Sequence, residues 1–342
     1  MDTVQIPTNN GCGLLIQRGG SQTYMSLISE AIEDKLDVDR FLASSNSINI
    51  ADLGCSLAFV AVKNIVESVK RKTPDDKRED IQFQVFFNDH VFNRFDKLFQ
   101  SLPSNRQYFA AGVPGSIHGR LFPKGALHFV NSSYALYWLS KIPDELVDKE
   151  SPSFNKGKIF YTNSCSKVVE AYAAQFARDM EAFLNSRAEE LVSGGLMALL
   201  LPCLEVKTYP LVEVVDLLGD CLTEMMNTGF VSEDKVDSFN FPRYNANTNE
   251  IKDIIDRNDR FRIEKIQRLE PPTSPNKAPS IHKFMLFLQT SWEGMITNHF
   301  GREIVDQVFR LLRKKIEASS VLNEANMNTV SECFILLQKK AT

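Results

Sequence analysis

The chain has 342 residues and a formal net charge of −4, so it lacks the basic surplus that a general nucleic-acid binder carries. Hydrophobic residues make up 43% and charged residues 24% of the chain, which is ordinary for a globular protein and excludes a disordered one. The longest apolar run, residues 196–204, is far shorter than the roughly 20 residues that cross a membrane. We therefore expect neither nucleic acid nor membrane as a partner.

Cysteine usage indicates a reducing compartment. No pair has CxxC spacing, so the sequence predicts neither a zinc site nor a redox motif. Residues 1–17 lack the basic and then apolar pattern of a secretory signal. We therefore expect free thiols and a cytoplasmic location. The six cysteines are Cys12, Cys55, Cys165, Cys203, Cys221 and Cys333.

The first elements along the chain form a helix followed by a strand, a turn and a second helix. Periodicity predicts a helix over residues 22–37 and a strand over 48–53, and small residues from Gly54 make the turn. Apolar positions at helical spacing then predict a helix over 57–70. Because glycine has no Cβ, such a turn lets a ligand approach the backbone beside a helix N-terminus.

Three further apolar runs follow, over residues 82–87, 108–113 and 127–130. A short helix over 92–102 separates the first two. Each run ends in polar residues or in a proline–glycine pair, which are typical strand boundaries. We interpret the runs as buried strands.

The clearest helix is predicted over residues 167–192, where apolar side chains recur at steps of three and four. We expect the segment 193–195, Ser-Gly-Gly, to end this helix as a glycine cap, and residues 196–201 to form a buried strand. Strands that alternate with helices indicate an α/β fold, with a mostly parallel sheet covered on both faces.

The pattern changes after residue 204. Residues 205–232 and 282–325 are mainly helical, whereas 261–266 and 333–337 alternate like strands. This arrangement predicts a sheet core that carries an additional helical lobe.

Polar residues follow each predicted strand, and in an open parallel sheet ligands bind beyond the carboxyl ends of the strands. An acidic residue after the second strand can accept both hydroxyls of a ribose, although Asp89 also suits a turn or a helix cap. The candidates are residues 52–56, Asp89 and His90, residues 115–117, and residues 132–134.

Two phosphate-binding motifs are missing from the sequence. Gly11-Cys12-Gly13 has no third glycine and follows no strand, so it is not a dinucleotide fingerprint, and no GxxxxGK loop occurs. This argues against a nicotinamide-dependent oxidoreductase and favours a nucleoside without a pyrophosphate.

At this point the sequence resembles a known family, the plant SABATH S-adenosylmethionine-dependent carboxyl methyltransferases. The matching segments run in family order over nearly the whole chain. They are IADLGCS (50–56), FQVFFNDHVFNRFDKLFQSLP (83–103), YFAAGVPGSIHGRLFPKGALHFVNSSYALYWLSKIP (108–143), NKGKI (155–159), FLNSRAEELVSGGLM (183–197), VDSFNFPRY (236–244) and HFG (299–301).

The resemblance implies a Rossmann-like class I methyltransferase sheet with an α-helical cap lobe. We expect the cofactor-binding core in residues 1–204, 245–270 and 328–342, and the cap in residues 205–244 and 271–327. It also implies S-adenosylmethionine as methyl donor, a small carboxylic acid as substrate and, as in relatives, a homodimer.

Site residues are carried over by position. The predicted cofactor contacts are Asp52, Gly54, Cys55, Asp89, His90, Ser116, Ile117 and Ser132. Gln17 and Trp138 would hold the substrate carboxylate, and Tyr134 and Tyr137 would line the acyl pocket. Family members carry a structural magnesium site whose positions match Asn155, Asp237, Asn240 and the carbonyl of Phe239. Because orienting the acid is enough, we expect no residue to act as a catalytic acid or base.

The chain also departs from the family pattern. Relatives have CSxGPNTF after the glycine turn, whereas this chain has Cys55-Ser56-Leu57-Ala58-Phe59. The family's SYxxNS motif is absent before Gln17, and Ile117 replaces an aromatic residue. Two hypotheses follow: an enzyme that forms methyl esters of iridoid-, salicylate- or jasmonate-type acids, or a homologue with weak or no activity because its cofactor site has degenerated.

Overall fold

The computed structural model describes residues 20–43, 45–54, 59–91, 95–203, 210–269, 279–323 and 332–341. Within these ranges a seven-stranded sheet has the order β3-β2-β1-β4-β5-β7-β6. The pairs from β3 to β5 are parallel, whereas β7 runs antiparallel to β5 and β6. The strands are β1 (Ser47–Leu53), β2 (Gln82–Asp89), β3 (Phe109–Pro114), β4 (Leu127–Ser133), β5 (Leu191–Pro202), β6 (Phe261–Leu269) and β7 (Glu332–Lys339).

Helices surround this sheet, and their amphipathic sequences explain why. In α10, buried side chains recur at three- and four-residue steps from Val305 to Ile316, so one apolar stripe faces inward. The helices are α1 (Gly20–Lys35), α2 (Val38–Leu42), α3 (Phe59–Lys72), α4 (Phe95–Ser101), α5 (Ser166–Glu190), α6 (Pro210–Asn227), α7 (Glu233–Asp237), α8 (Thr248–Asn258), α9 (Ile281–Phe300) and α10 (Val305–Ala318), with 3₁₀ turns at Asp144–Leu146 and Arg302–Ile304.

Two groups of helices can be distinguished by their packing. Helices α1 and α3 pack on each other, α1 also contacts β5, β6 and β7, and α5 packs on β5 and α8. Helix α10 instead packs on α6 and α9, away from the strands. Helices α6, α9 and α10 thus pack as a group of their own. No helix in the described ranges is both long enough and apolar enough to cross a membrane.

The elements predicted from the sequence agree with the structure in type, but two helices differ from their predicted limits. The helix predicted over 22–37 ends at Lys35, and the side chain of Asp37 caps a separate short helix by accepting a hydrogen bond from Arg40 N. The helix predicted over 92–102 spans Phe95–Ser101, with residues 92–94 outside the described ranges.

The Ser-Gly-Gly segment lies within strand β5, so the prediction that it caps the preceding helix is wrong. Helix α5 ends at Glu190 and its cap residue, Leu191, is already extended. Strand β5 begins there, and its register against β4 shifts between Leu127 and Phe129. A Cβ on Gly195 would lie 3.1 Å from the carbonyl oxygen of His128 on β4, so this glycine permits close approach in an irregular strand.

Candidate active site

The turn after β1 lies at the carboxyl edge of the sheet. Gly54 has a φ of +74°, a conformation that glycine adopts without penalty, and its N–H donates to Asn88 O at 3.0 Å. A Cβ on Gly54 would lie 2.4 Å from the Cβ of Ala135. The Ala135 side chain therefore packs directly against Gly54, so the protein's own chain covers this side of the turn.

The ends of β2 and β3 are fastened to the same edge. Asn88 Nδ2 donates to Val113 O at 2.8 Å and to Gly115 O at 3.0 Å, and Gly115 N donates to Asp89 O at 3.0 Å. The Asp89 carboxylate accepts a hydrogen bond from His90 N at 2.7 Å. These bonds place Asp89 next to the glycine turn on one side and to the loop that carries Ser116 on the other.

Asp52 is directed into the interior. Its Oδ1 accepts from Asn131 Nδ2 at 2.5 Å, and Asn131 Oδ1 accepts from the Tyr24 hydroxyl at 2.5 Å. Burial raises the pKa of Asp52 to about 7; the bond from Asn131 lowers the pKa, and the charge of Asp89 raises it. Asp52 thus connects β1, β4 and α1 beneath the predicted cofactor position.

A second buried carboxylate lies at the same edge. The Tyr134 hydroxyl donates to Oε1 of Glu332, the first residue of β7, and burial raises the pKa of Glu332 to about 7. Ser133 Oγ donates to the Tyr24 hydroxyl at 3.3 Å. The predicted pocket residue Tyr134 is therefore anchored by its phenol to β7, with its backbone at a φ of +56°.

Trp138 is the predicted acid-holding residue that the structure describes. Its side chain is 4% exposed, and its buried indole N–H has no hydrogen-bond acceptor among the described residues. Its ring lies 5.3 Å from the ring of Tyr137, over which the Arg243 guanidinium stacks at 4.3 Å from the ring centroid. A buried N–H without a partner is costly, so Trp138 offers a donor that a ligand oxygen would satisfy.

The remaining predicted cofactor contacts occupy different surroundings. Ser132 is buried and its hydroxyl donates to Leu53 O at 3.1 Å, which ties β4 to β1. Ser116 is exposed, Ile117 is buried, and burial lowers the pKa of His90. Gln17 and Cys55 lie outside the described residues, as do residues 56–58 of the altered stretch.

The four predicted magnesium ligands lie close together and are buried. Asn155 Nδ2 donates to Asn240 Oδ1 at 2.7 Å, Asn155 Oδ1 accepts from Ser164 at 2.6 Å, and Asp237 Oδ1 accepts from Gly157 N at 2.8 Å. These oxygens are thus used in hydrogen bonds, and Asp237 is the single carboxylate of the set. Mg²⁺ takes oxygen ligands, and three side-chain oxygens of this set already accept hydrogen bonds from the protein.

Within the described ranges, no cluster of three or more His, Cys, Asp or Glu side chains could hold a metal ion.

Sequence reasoning missed several residues that shape the site, namely Tyr24, Asn131, Arg243 and Glu332. Asn131 could have been predicted from the sequence, because it is the polar residue that directly follows the apolar run of β4. Glu332 could be found only with the topology: because β7 is antiparallel, its first residue lies at the edge where the parallel strands end.

Comparisons with known proteins agree with this geometry. A family profile described as "SAM dependent carboxyl methyltransferase" matches residues 14–340. The chain is 39% identical to a loganic acid O-methyltransferase of Catharanthus roseus over 97% of this chain and 91% of the relative. It is also 39% identical to a farnesoic acid carboxyl-O-methyltransferase of Arabidopsis thaliana over 85% of this chain and 84% of that protein.

Structural comparison also indicates a carboxyl methyltransferase. The structure "Loganic acid methyltransferase with SAH" matches with a TM-score of 0.86 and 38% identity, over 96% of this chain and 95% of the other. The family profile and the relatives span nearly the whole sequence. The chain therefore belongs to the family of S-adenosylmethionine-dependent carboxyl methyltransferases.

Proposed function

We propose that this protein transfers a methyl group from S-adenosylmethionine to the carboxylate of a small organic acid and releases a methyl ester. Iridoid-, salicylate- and jasmonate-type acids are the candidate substrates. The observation that carries the proposal is the buried indole N–H of Trp138, which has no acceptor in the described part of the chain and lies on the segment that packs against the Gly54 turn.

The chemistry needs little from the protein besides placement. S-adenosylmethionine supplies a methyl carbon on a positively charged sulfur; a carboxylate oxygen forms the new C–O bond as the C–S bond breaks. A free carboxylic acid with a pKa of about 4 to 5 is already ionised at pH 7, so no general base is required. Holding the reacting atoms in line near contact distance accounts for most of the acceleration.

Neutral donors suit this reaction. The Trp138 indole and the Gln17 amide would orient the carboxylate by hydrogen bonds without cancelling its charge. A cation bonded to the same oxygen would stabilise the ground state more than the transition state, in which charge has been neutralised. The aromatic residues Tyr134 and Tyr137 would then form the wall against the acyl group.

On the cofactor side, Asp89 and Ser116 are the described polar residues best placed for the nucleoside. Asp89 ends β2 beside the glycine turn, where a carboxylate can accept ribose hydroxyls. His90, Ile117 and Ser132 would border the same position, whereas Asp52 and Gly54 would support it from within. The site includes Gln17 and Cys55 as predictions from the sequence.

An alternative is a homologue in which cofactor binding has weakened. The residues after Cys55 depart from the family pattern, and losing one or two hydrogen bonds costs about 1–3 kcal/mol, or roughly ten- to a hundredfold in affinity. Calorimetric titration with S-adenosylhomocysteine distinguishes the two hypotheses. A dissociation constant of about 1–100 µM supports an enzyme, and no binding at about 1 mM supports the degenerate homologue.

Other features remain predictions. We propose that α6, α9 and α10 form the cap lobe over the acid, and that the chain forms a homodimer in the cytoplasm, as the family resemblance and the scattered cysteines imply. For magnesium, the hydrogen bond between Asn155 and Asn240, together with the one that Asp237 accepts from Gly157 N, favours a metal-free structural contact. Sedimentation and metal analysis of the purified protein test the oligomeric state and the metal content.

A further inference from the structure

Helix α5 contacts two loops that the proposed function assigns to different ligands. The cofactor loop is residues 115–122, which carries Ser116 and Ile117. The acid loop is residues 134–140, which carries Tyr134, Tyr137 and Trp138. Separate groups of buried polar side chains on α5 hold each loop.

The C-terminal end of α5 holds the cofactor loop. Arg187 donates from Nη1 to Ile117 O at 3.0 Å and from Nη2 to Gly119 O at 2.8 Å. Glu190 Oε1 accepts from Leu121 N at 2.6 Å and from Phe122 N at 3.0 Å. Four main-chain groups of one loop are therefore fixed by two side chains.

Those two side chains also neutralise each other. Arg187 Nη2 donates to Glu190 Oε1 at 3.0 Å, and Arg187 Nε lies 2.7 Å from Glu190 Oε2 as an ion-pair contact rather than an aligned hydrogen bond. Both side chains are fully buried, with 0% exposure. Burying a charge pair is expensive unless its remaining donors and acceptors are used, and here the loop's backbone bonds to Nη1 and Nη2 of Arg187 and to Oε1 of Glu190.

The middle of α5 holds the acid loop. Ser140 N donates to Asp179 Oδ2 at 2.8 Å, and Ser140 Oγ donates to Asp179 Oδ1 at 2.5 Å. Gln175 Nε2 also donates to Asp179 Oδ1, at 2.8 Å. Asp179 and Gln175 are both nearly fully buried, so water does not compete for these bonds.

His118 joins the two groups. It belongs to the cofactor loop, and its Nδ1 lies 3.3 Å from Asp179 O, at the residue that holds Ser140. Burial lowers the pKa of His118, whereas the charge and the carbonyl of Asp179 raise it. One histidine of the cofactor loop thus contacts α5 at the residue that holds the acid loop.

We propose that α5 sets the spacing between the two bound reactants, with Arg187 and Glu190 as positioning residues for the methyl donor and Asp179 and Gln175 as positioning residues for the acid. From Asp179 to Arg187 the helix rises about 12 Å, at 1.5 Å per residue, without a break. In-line transfer depends on this distance, because a misplacement of about 1 Å is enough to slow such a reaction about a hundredfold. The inference rests on the proposed function.

Hydrogen exchange of the ligand-free protein tests the two attachments separately. Arg187→Lys keeps the charge but not the planar fork, so exchange should increase about tenfold or more in peptides of the cofactor loop and stay unchanged in the acid loop. Asp179→Asn replaces one of the two acceptor oxygens, so exchange should increase in peptides of the acid loop and stay unchanged in the cofactor loop. Glu181→Gln, an exposed change on the same helix, is the matched control and should alter neither loop.

A binding and kinetic comparison then separates positioning from a general structural role. Arg187→Lys should raise the dissociation constant of S-adenosylhomocysteine about tenfold and change the KM of the methylated acid less than about twofold. Asp179→Asn should raise the acid KM about tenfold and leave the dissociation constant within about twofold. The acid is the best substrate of the wild type among loganic, salicylic, jasmonic and farnesoic acids.

Two milder variants keep the inference testable if the first pair folds poorly. Arg120→Gln removes a half-exposed side chain 3.6 Å from Glu190, so it should raise the dissociation constant of S-adenosylhomocysteine by less than Arg187→Lys does. Ser140→Ala removes one hydroxyl, so it should raise the acid KM by less than Asp179→Asn does. The proposed role of α5 is wrong if each variant changes hydrogen exchange in both loops and also changes both the dissociation constant and the KM. It is equally wrong if neither variant changes any of these quantities. A wild type that does not bind S-adenosylhomocysteine would instead contradict the proposed function itself.

Discussion

The Cβ of Ala135 lies 2.4 Å from the position that a Cβ on Gly54 would occupy. This contact joins the turn after β1 to the segment that carries Trp138. We expect Gly54→Ala to destabilise the protein by about 2–5 kcal/mol, because strain at a φ of +74° adds to an overpacking clash. Denaturant unfolding of the variant measures this loss.

Two controls separate strain from clash. Gly229 has a φ of +79° with no described atom within 4 Å of its Cβ position, so Gly229→Ala should cost only the strain, about 1–2 kcal/mol. Adding Ala135→Gly to Gly54→Ala should restore the part due to the clash, about 1–3 kcal/mol. Equal stabilities for the single and double variants would show that the two residues do not press on each other.

Trp138→Phe keeps an aromatic ring in place but removes the N–H together with the rest of the indole's second ring. We expect methyl-ester formation to fall about ten- to a hundredfold, since one hydrogen bond to a charged oxygen contributes about 1.5–3 kcal/mol. Affinity for S-adenosylhomocysteine should stay within about twofold, as measured by calorimetry.

The matched control uses the other tryptophan, Trp292, which packs edge-on against Phe241 at 5.0 Å. Trp292→Phe should affect ester formation less than Trp138→Phe does. If Trp138→Phe lowers cofactor affinity and ester formation by the same factor, the assignment of Trp138 to the acid is wrong.

Stability should depend on pH through Asp52. Its pKa is raised from 3.8 to about 7, so between about pH 4 and pH 7 the unfolded chain has lost a proton that the folded chain keeps. Stability is therefore highest below about pH 4 for this group and falls as pH rises to about 7, by on the order of 4 kcal/mol at 1.36 kcal/mol per pKa unit. Glu332, raised from 4.5 to about 7, acts in the same direction.

Asp52→Asn should flatten this part of the stability profile, because the amide does not titrate while Asn131 stays as a neighbour. Chemical denaturation at several pH values, for this variant and for the exposed control Glu181→Gln, measures the slopes. An unchanged slope in Asp52→Asn would mean that Asp52 titrates alike in the folded and unfolded chains.

Much of the fold could be predicted from local pattern, whereas the interior of the site could not. Apolar runs identified β1, β2 and β4, because parallel strands buried on both faces read as continuous apolar segments, and of these three only β1 ends in a glycine turn. The Ser-Gly-Gly segment misled the prediction because glycines also permit strand irregularities, and only the neighbouring strand decides between the two. A local glycine pattern therefore does not distinguish a helix cap from a strand irregularity.

The buried polar contacts depend on pairs that are distant in sequence. Tyr24 contacts Asn131, and Tyr134 contacts Glu332, across 107 and 198 residues respectively. No periodicity encodes such pairs, since they arise when the tertiary fold brings α1, β4 and β7 together. For the site, the sequence therefore predicted the residues at the ends of the strands but not the partners that hold them.

Removing metal ions should leave the protein intact. Because the oxygens of Asn155, Asp237 and Asn240 accept hydrogen bonds from the protein, we expect dialysis against EDTA to change the melting temperature by less than about 1 °C. A larger drop that added Mg²⁺ reverses, together with about one bound equivalent by elemental analysis, would instead support the magnesium site predicted from the family.

The most direct measurement is methyl transfer itself. Purified protein is incubated with S-adenosylmethionine bearing a deuterated methyl group and with loganic, salicylic, jasmonic and farnesoic acids in turn, and the products are read by mass spectrometry. We predict a trideuteromethyl ester of at least one acid, in amounts exceeding the protein concentration. If the protein binds S-adenosylhomocysteine yet converts none of these acids or related small carboxylic acids, esterification as the reaction of this site is contradicted.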